Sequence, residues 1–346
     1  MSDRLQQFFS QVWYGDRSIT SCLLAPLSLL AGYFTQRKRQ RYLAGNEESF
    51  RSTLPVIVIG NLTVGGTGKT PLVIWLVQQL QARGYKPGIV SRGYGGSAPH
   101  YPYLLQASDT AAVAGDEPLM MFQRTGVPVV VDPRRAQAAQ ALQEQTDCDV
   151  IISDDGLQHY ALGRTYEVVV VDSVRGLGNG RLLPAGPLRE SAERLQQVNA
   201  IVINGSAQHP SISGLPPRGT FSMALAPGDF HGLSDGETID IETIRSRNDW
   251  IAVAGIGNPQ RFFDTLAALE VRFTKMPFPD HHPYTRQDFA SLGNAPVLTT
   301  EKDAVKLRQL GIEGAFLPVD ARIQSGLIDD IIQAIETFRT RSHHLY

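Results

Sequence analysis

Cysteine is scarce in this sequence, with only Cys22 and Cys148 among 346 residues. The two lie far apart and form no Cys-x-x-Cys or Cys/His pattern, which argues against a disulfide scaffold and a structural zinc site. An excess of charge is also absent, since 32 Lys and Arg residues stand against 34 Asp and Glu residues. A net charge of −2 provides no basic field for nucleic acid, so we expect no nucleic-acid partner.

The sequence also has no long apolar span of the usual kind. Residues 19–34 are uncharged, but this run is shorter than the roughly 20 apolar residues of a spanning helix and contains Pro26. A basic cluster, Arg37–Arg41, follows the run, whereas a secretory signal peptide has its positive charge before the apolar part. Both a spanning helix and a signal peptide are therefore disfavoured.

As a helix, residues 19–34 have two different faces. One carries large residues, namely Leu23, Leu24, Leu27, Leu30, Ala31 and Phe34, and the other carries small ones, namely Ser21, Ala25, Ser28, Gly32 and Thr35. We interpret the run as a helix lying in the cytoplasmic leaflet of a membrane, with the basic cluster at anionic head groups. The alternative is a helix packed on the main domain, with the basic cluster as its solvated end.

The rest of the sequence alternates short β-branched runs with helical stretches. Near-continuous apolar runs indicate strands buried on both faces, as in a parallel sheet covered by helices. The predicted strands are 56–59, 88–90, 129–131, 150–152, 168–171 and 201–203, followed by 250–254 and 297–299 in a second α/β pattern. A stretch rich in Gly, Pro and Ser separates the two patterns. Ligands are expected at the carboxyl ends of the strands.

We therefore predict an α/β fold in four parts. The parts are an N-terminal membrane-associating helical segment (1–45), a core domain (46–218), a linker (219–235) and a smaller α/β domain (236–346). The smaller domain is expected to close over the core, and its last helix can pack back on the core.

The strongest motif is GNLTVGGTGKTP, residues 60–71, between an apolar strand and a predicted helix. Its glycines suit a phosphate loop, whose backbone N–H groups and helix N-terminus bind phosphate. The core is thus predicted to be a P-loop NTPase-like parallel sheet sandwiched by helices. Lys69 is expected at the β- and γ-phosphates of ATP, and Thr70 at Mg²⁺. The predicted ATP-binding residues are Thr63, Val64, Gly65, Gly66, Thr67, Gly68, Lys69 and Thr70.

Charged residues that follow other strands extend this prediction. Asp154 and Asp155 come directly after a predicted strand, where a carboxylate would bind Mg²⁺ across from Thr70. A turn or helix cap is the alternative role for the two aspartates. Arg189 and Glu190 are candidates for a charge clamp and an outer metal contact, with a surface ion pair as the alternative.

Eight motifs, in their order along the chain, resemble those of the tetraacyldisaccharide 4′-kinases. They are GNLTVGGTGKTP, VSRGYGG, AGDEP, SDDGLQHY, GNGRLLPAGPLRE, VAGIGNPQRFF, FPDHHPY and LTTEKDAVK. The matches run from residue 56 to residue 306, and the apolar N-terminal helix is similar too. Each motif alone is weak, but their ordered sum is specific.

The resemblance implies transfer of the γ-phosphate of ATP, with Mg²⁺, to the 4′-hydroxyl of a tetraacylated glucosamine disaccharide 1-phosphate. The product is lipid IVA, in the biosynthesis of lipid A. The resemblance also implies two α/β/α domains with the active site in the cleft between them. The implied partners are the lipid A disaccharide precursor and the cytoplasmic leaflet of the bacterial inner membrane, bound peripherally, and no obligatory protein partner is expected.

The resemblance also assigns roles to residues. The implied catalytic residues are Asp116, His281, Lys69 and Arg189, and the implied lipid-facing residues are Arg92, Tyr94 and Glu117. Asp116 of AGDEP is the base, and His281 of FPDHHPY is its partner from the second domain, although the spacing leaves His282 open as a rival. A His–carboxylate pair suits the activation of a sugar hydroxyl. A base split between two domains predicts that domain closure precedes chemistry.

Two other functional classes stay open at this point. A MinD-like or SRP-like regulatory NTPase also combines a glycine-rich loop with membrane-facing helices. However, Val64 stands where MinD-like proteins have a signature lysine, and Thr63 replaces the first glycine of the usual loop. The second class, a scaffold with a degenerate nucleotide site, is disfavoured by the intact Gly68–Thr70 and by both aspartates. A kinase needs its acceptor for turnover, whereas a switch does not.

Overall fold

The computed structural model describes residues 3–15, 18–207, 209–216, 219–293 and 295–343, and these form two compact units. Unit 1 comprises Met1–Arg92, Val127–Leu225 and Ala321–Tyr346, and unit 2 comprises Gly93–Gly126 and Ala226–Asp320. The chain therefore passes from one unit to the other four times.

The helices and strands alternate along most of the chain. The α-helices are α1 (Asp3–Tyr14), α2 (Ser18–Leu43), α3 (Lys69–Gln81), α4 (Ala111–Ala114), α5 (Asp116–Thr125), α6 (Arg135–Gln145), α7 (Ile241–Ser246), α8 (Pro259–Ala268), α9 (Glu301–Leu307) and α10 (Leu327–His343). The strands are β1 (Val56–Gly60), β2 (Pro87–Ser91), β3 (Tyr103–Leu104), β4 (Val129–Val131), β5 (Val150–Asp154), β6 (Tyr166–Asp172), β7 (Ala200–Asn204), β8 (Thr220–Pro227), β9 (Phe230–Gly232), β10 (Thr238–Ile239), β11 (Trp250–Ala254), β12 (Phe273–Pro277), β13 (Val297–Thr300), β14 (Gly314–Leu317) and β15 (Val319–Ile323). Short 3-10 helices cover Ala192–Gln197, Pro210–Ile212, Arg286–Leu292 and Arg308–Leu310.

The sheet of unit 1 is parallel from β8 to β4, in the order β8-β7-β6-β1-β5-β2-β4. Every residue of β1 and β5 is buried, as expected for strands covered on both faces. Because the strands are parallel, their carboxyl ends lie at one edge of the sheet. That edge carries the loop after β1 together with Asp154, Asp172 and Asn204, the last residues of their strands.

The sheet of unit 2 has the order β10-β9-β14-β13-β11-β12. Its strands β14, β13, β11 and β12 are parallel, and β9 joins β14 in the antiparallel direction. One face of β11, with Ala252 and Ala254, packs on Phe263 of α8, and the other, with Val253, packs on Leu307 of α9. Helices therefore cover both faces, and the predicted α/β class is confirmed.

Helix α2, in unit 1, presents the two predicted faces. Ser21 and Ser28 are buried, and their hydroxyls donate hydrogen bonds to the carbonyls of Ala185 and Leu182 at 2.7 and 2.8 Å. The exposed large residues are Ile19, Leu23, Leu27, Leu29, Leu30, Tyr33 and Phe34. The small face thus packs on the protein, and the large apolar face is open.

The helix differs from the predicted run in its length. It continues through Pro26 and the basic cluster to Leu43. Ile19–Leu43 is long and apolar enough to cross a membrane by length and composition, a test that a signal sequence or a buried core helix can also pass. The sequence analysis considered only the uncharged run 19–34, and the helix that contains this run is longer.

One segment departs from the predicted domain boundaries. Gly93–Gly126 was expected in the core domain, but it belongs to unit 2, where α5 packs against α9 and Arg124 forms a 2.8 Å ion pair with Glu301. The aliphatic face of α5, including Leu119 and Met121, is fully buried. The segment Gly93–Gly126 lies between two predicted strands of the core, and nothing in the sequence indicated that the chain leaves the core there. The last helix, α10, lies in unit 1.

Candidate active site

The loop after β1 leads into the N-terminus of α3. Gly68 is the N-cap residue, with φ 94°, and Gly65 has φ 99°, a backbone conformation that favours glycine. No side chain among the described residues caps this helix, so its first N–H groups can bind an anion. Of the predicted residues, Thr63–Gly68 thus form the loop at the carboxyl edge of the sheet, and Lys69 and Thr70 begin α3. The local geometry is that of a phosphate loop.

A second segment holds this loop in place. The backbone N–H of Val64 donates to the carbonyl of Pro187 at 2.9 Å, and that of Arg189 donates to the carbonyl of Leu62 at 2.7 Å. Thr63 and Leu188 form an isolated β-bridge between the two hydrogen bonds. This pairing of LPAGPLRE with the loop brings Arg189 next to the start of α3.

Asp155 lies between the two predicted phosphate-binding cations. Its carboxylate is 3.5 Å from Lys69 Nζ and 3.0 Å from Arg189 Nη1. Burial would raise the pKa of Asp155, but the charges of Lys69 and Arg189 outweigh burial and lower it. Asp155 therefore stays ionised at neutral pH. It has a positive φ of 47°, which indicates a constrained backbone at the end of β5.

The other predicted metal ligands lie in the same unit. Asp154 is buried and its Oδ2 accepts a hydrogen bond from Ser91 at 3.1 Å, while Thr70 is in the first turn of α3. Glu190 Oε2 accepts a hydrogen bond from Tyr160, and its buried Oε1 accepts none from any residue that the structure describes. An unsatisfied buried carboxylate oxygen is a costly feature unless a ligand or water binds it.

No group of three His, Cys, Asp or Glu side chains that could hold a metal occurs within the described ranges. Mg²⁺ in phosphoryl-transfer enzymes needs only one or two carboxylates, because phosphate oxygens and waters complete its octahedron. The oxygen donors Thr70, Asp154, Asp155 and Glu190 are of the kind that Mg²⁺ prefers. The residues present therefore fit the predicted ion.

Three residues near the loop escaped the sequence-based prediction. Arg175 Nη2 donates to the carbonyl of Gly66, and Asn204 Nδ2 donates to the carbonyl of Thr67 at 3.0 Å. Arg135 is buried and donates to the carbonyl of Asp154 at 3.2 Å. Burial lowers the pKa of Arg135 to about 10, so it stays charged. Arg175 and Asn204 could have been found, since both follow or end predicted strands.

In unit 2, the carboxylate of Asp116 meets the imidazole of His281. Asp116 is the first residue of α5 and is 5% exposed, and its Oδ2 is 3.0 Å from His281 Nδ1. His281 has a positive φ of 60°. The rival His282 instead packs against Phe278, with ring centroids 4.6 Å apart and the rings tilted. The structure therefore selects His281, which the spacing could not do.

This pair contradicts one expectation. The base and its partner were predicted to come from different domains, so that closure would join them. Both residues belong to unit 2, because the segment that carries Asp116 leaves the core of unit 1 and packs with α9. Formation of the Asp116–His281 pair thus needs no movement between the units.

Two lysines of α9 complete the surroundings of the pair. Lys302 Nζ is 3.2 Å from His281 Nε2 and 3.0 Å from Glu117 Oε1, and Lys306 Nζ is 3.5 Å from Asp116 Oδ2. Burial would raise the pKa of Asp116, but the hydrogen bond with His281 and the lysine charges lower it to about 2. Asp116 is therefore a carboxylate at working pH.

The predicted lipid-facing residues are divided between the units. Tyr94 is exposed, and its ring meets that of His281 edge-on at 5.0 Å, while Glu117 is paired with Lys302. Arg92 is exposed and is the last residue of its segment in unit 1. Tyr94 and Glu117 thus adjoin the Asp116–His281 pair.

Comparison with known proteins gives consistent results. The family model described as Tetraacyldisaccharide-1-P 4'-kinase matches residues 20–336. The tetraacyldisaccharide 4′-kinase of Aeromonas salmonicida is 47% identical over 328 residues, which cover 94% of this chain and 96% of that protein. The enzyme of the same name from Pseudomonas entomophila is 47% identical over 310 residues, covering 89% and 90%.

A solved structure is similar over most of the chain. It is the "apo" form of LpxK from Aquifex aeolicus in complex with ATP, which superposes with a TM-score of 0.78 at 28% identity. The match covers 92% of this chain and 100% of that one. Together with the phosphate loop and the family match, these relatives show that the chain belongs to the tetraacyldisaccharide-1-phosphate 4′-kinase family, and is thus an ATP-dependent phosphotransferase with an alcohol acceptor.

Proposed function

We propose that Asp116 is the general base that takes the proton of the 4′-hydroxyl of a tetraacylated glucosamine disaccharide 1-phosphate. The observation that carries this proposal is the buried Asp116 carboxylate held at 3.0 Å by His281. A catalytic base must be ionised, and the low pKa of Asp116 meets that condition. Tyr94, Glu117 and Arg92 are proposed to contact the lipid acceptor.

The reaction transfers one phosphoryl group. The hydroxyl oxygen forms a bond to the γ-phosphorus of ATP, its proton goes to Asp116, and the bond from the γ-phosphorus to the β,γ-bridging oxygen breaks. The electron pair of that bond leaves with ADP, and the product is the 4′-phosphate, lipid IVA. The lipid product and the place in lipid A synthesis follow from the family.

In this proposal the residues of unit 1 hold the nucleotide. The residues 63–70 bind the phosphates through backbone N–H groups, and Lys69 and Arg189 stabilise the charge that develops on the transferring group. Thr70, Asp154, Asp155 and Glu190 would hold Mg²⁺, which neutralises charge on the β- and γ-phosphates when bound. The ionised Asp155 keeps Lys69 and Arg189 oriented before ATP arrives.

We also propose that the protein binds the cytoplasmic leaflet of the inner membrane peripherally, through α2. Its open face of leucines and its basic cluster are the two signals that stable peripheral binding needs. A helix whose small face is hydrogen-bonded to unit 1 is not surrounded by lipid, which favours a position on the membrane surface over a span. We expect neither a nucleic-acid nor an obligatory protein partner.

The proposal is tested by incubating the protein in detergent micelles with γ-labelled ATP, Mg²⁺ and tetraacyldisaccharide 1-phosphate. Label should appear in the lipid. Asp116→Asn should lower kcat by about 100-fold or more, and Lys69→Ala by a similar factor. ATP binding, measured separately by calorimetry, should persist in Asp116→Asn and weaken in Lys69→Ala.

Two exposed, ion-paired residues provide matched controls. Asp249→Asn in unit 2 and Lys86→Ala in unit 1 remove the same charges from surface pairs, and both variants should label the lipid at the normal rate. Release of phosphate without acceptor, and without labelled lipid, would reject the kinase in favour of a regulatory NTPase. Full activity of Asp116→Asn would reject the assigned base.

A further inference from the structure

The motif LTTEKDAVK supplies two lysines that have no role in the reaction as described so far. Lys302 and Lys306 lie one turn apart on α9, a helix capped by Thr300, whose hydroxyl accepts a hydrogen bond from the N–H of Asp303. The side chains of the two lysines are 16% and 14% exposed. Burying an ammonium group is costly unless acidic partners surround it, so their positions require an explanation.

Lys302 has such partners and also contacts a group that is not acidic. Its Nζ is 3.0 Å from Glu117 Oε1 and 3.5 Å from Asp280 Oδ1. Burial would lower the pKa of Lys302, but Glu117, Asp116 and Asp280 together raise it, so the ammonium is fully protonated at neutral pH. The third neighbour is His281 Nε2, at 3.2 Å.

The contact between Lys302 and His281 determines where the imidazole carries its proton. An ammonium group can only donate hydrogen bonds, so Nε2 of His281 must present its lone pair to Lys302. A neutral imidazole then has its hydrogen on Nδ1, which faces Asp116 Oδ2 at 3.0 Å. The order of donors is thus Lys302 to His281 to Asp116.

We propose that Lys302 is a positioning residue, which keeps His281 neutral with its Nδ1–H on Asp116 while Asp116 takes the proton of the acceptor. This inference rests on the proposed role of Asp116 as base. A neutral imidazole orients the carboxylate without placing a full positive charge on it, whereas an imidazolium would weaken its affinity for the proton. The ammonium group of Lys302 also forms ion pairs with Glu117 and Asp280.

The charged groups around His281 give the expected direction of its titration. The hydrogen bond with Asp116 raises the pKa of His281, and so does the charge of Asp280, 3.8 Å from Nε2. Burial and the charge of Lys302 limit this increase without cancelling it, so the pKa of His281 stays above its ordinary value and the neutral imidazole is the form present on the alkaline side of its titration. Lys306 faces Asp116 and not the imidazole, and the Tyr94 ring lies edge-on at 5.0 Å. Without Lys302, only burial still opposes the effect of the two carboxylates, so His281 becomes protonated at higher pH.

The first experiment is the pH dependence of kcat/KM for the lipid acceptor in the full-length protein. Activity should fall at low pH as His281 becomes protonated, and Lys302→Met should move this acid limb of the profile to higher pH by about one unit. At pH values below the limb, kcat/KM of the variant should therefore be about tenfold lower than that of the wild type, and the difference should shrink at higher pH. Lys302→Arg keeps the charge, and its limb should stay closer to that of the wild type. Lys275→Met, which removes an exposed lysine of β12, is the matched control. A loss of equal size at every pH would overturn the proposal.

The second experiment needs no substrate. Protein with ¹⁵N-labelled histidine is titrated by NMR, and His281 is assigned from the signal missing in His281→Gln. The wild type should show a neutral imidazole protonated on Nδ1, and Lys302→Met should titrate at higher pH. A wild-type imidazole protonated on Nε2 would overturn the proposal even if the variant does not fold. If the protein shows the expected tautomer but does not phosphorylate the lipid, the proposed function fails while the assigned tautomer of His281 stands. The two failures can therefore be told apart.

Discussion

Gly68 is a single residue on which the shape of the phosphate loop depends. A Cβ added there would lie 2.6 Å from Asn204 Nδ2, and the φ of 94° is unfavourable for any other residue. Gly68→Ala should therefore weaken ATP binding by roughly tenfold or more. The measurement is the Kd for ATP by calorimetry.

Gly66 provides the comparison within the same loop. A Cβ at Gly66 meets no described atom within 4 Å, and its φ is outside the left-handed range. Gly66→Ala should weaken ATP binding clearly less than Gly68→Ala does. Equal effects of the two substitutions would show that loss of any loop glycine, and not the contact with Asn204, is responsible.

At the scale of residues, the sequence indicated which charged residues belong to the candidate site. It indicated less well which side chains these residues contact. The loop residues, Asp155 and Arg189 were identified because motif and strand position both pointed to them. The preference of Asp116 for His281 over His282 could not be predicted, because it depends on a positive φ at His281 and on the ring of Phe278, which holds His282 elsewhere. Positive φ at a non-glycine residue leaves no mark in a sequence.

The two faces of helix α2 are proposed to have separate roles, membrane binding for the open face and packing on the protein for the small face. Its leucines are highly exposed, so the triple substitution Leu23→Gln, Leu27→Gln and Leu30→Gln should leave the melting temperature unchanged. The same change should weaken binding to vesicles with anionic lipid by tenfold or more, because each leucine transferred to lipid contributes roughly 1.5–3 kcal/mol. Co-sedimentation with vesicles measures the binding.

A substitution on the small face of α2 is expected to have the opposite effect, a loss of stability without a loss of vesicle binding. Ser28 donates to the carbonyl of Leu182 and accepts from the N–H of Ala185, and it is buried. Ser28→Val should lower the melting temperature while vesicle binding of the folded protein stays close to normal. If the leucine variant stays folded and keeps its vesicle binding, the open face is not the membrane contact.

Most elements of the core could be predicted because apolar runs and intervening helices have different periods. The strands at 129–131 and 250–254 were predicted to the residue, and the other predicted strands are longer in the structure by one or two residues at one or both ends. Helix α9 begins at Glu301, where Thr300 caps it, and a 3-10 turn continues it to Leu310. Strands β3, β8, β9, β10, β12, β14 and β15 were missed, since they are short or only partly buried and lack a long continuous apolar run.

For the whole molecule, nucleotide binding should appear as added stability. A ligand at 100 times its Kd stabilises the folded state by about 2.7 kcal/mol, which corresponds to a rise of several degrees in melting temperature. Removal of ATP should reverse the rise. Lys69→Ala should abolish it at the same ATP concentration, whereas Lys86→Ala, an exposed lysine of the same unit, should keep it. A normal shift in Lys69→Ala would exclude the phosphate loop as the ATP site.

The division into units was the hardest feature to predict, because it depends on contacts between segments that are far apart in sequence. A continuous core at 46–218 is the natural interpretation of the strand pattern. The structure instead takes Gly93–Gly126 out of this range, and it brings in Ala321–Tyr346, which agrees with the expectation that the last helix can pack back on the core. Nothing local in either segment indicates which sheet it will join.

The fourfold crossing of the chain also affects how the protein is made. A ribosome releases the N-terminal residues first, and domains that are continuous in sequence can fold before their successors appear. Here unit 2 lacks its last segment until residue 320 has emerged, and unit 1 lacks the buried Ile331 and Ile335 of α10 until still later. Neither core can therefore be completed before the residues that follow Asp320 have begun to emerge, although the first strands of unit 1 are made much earlier.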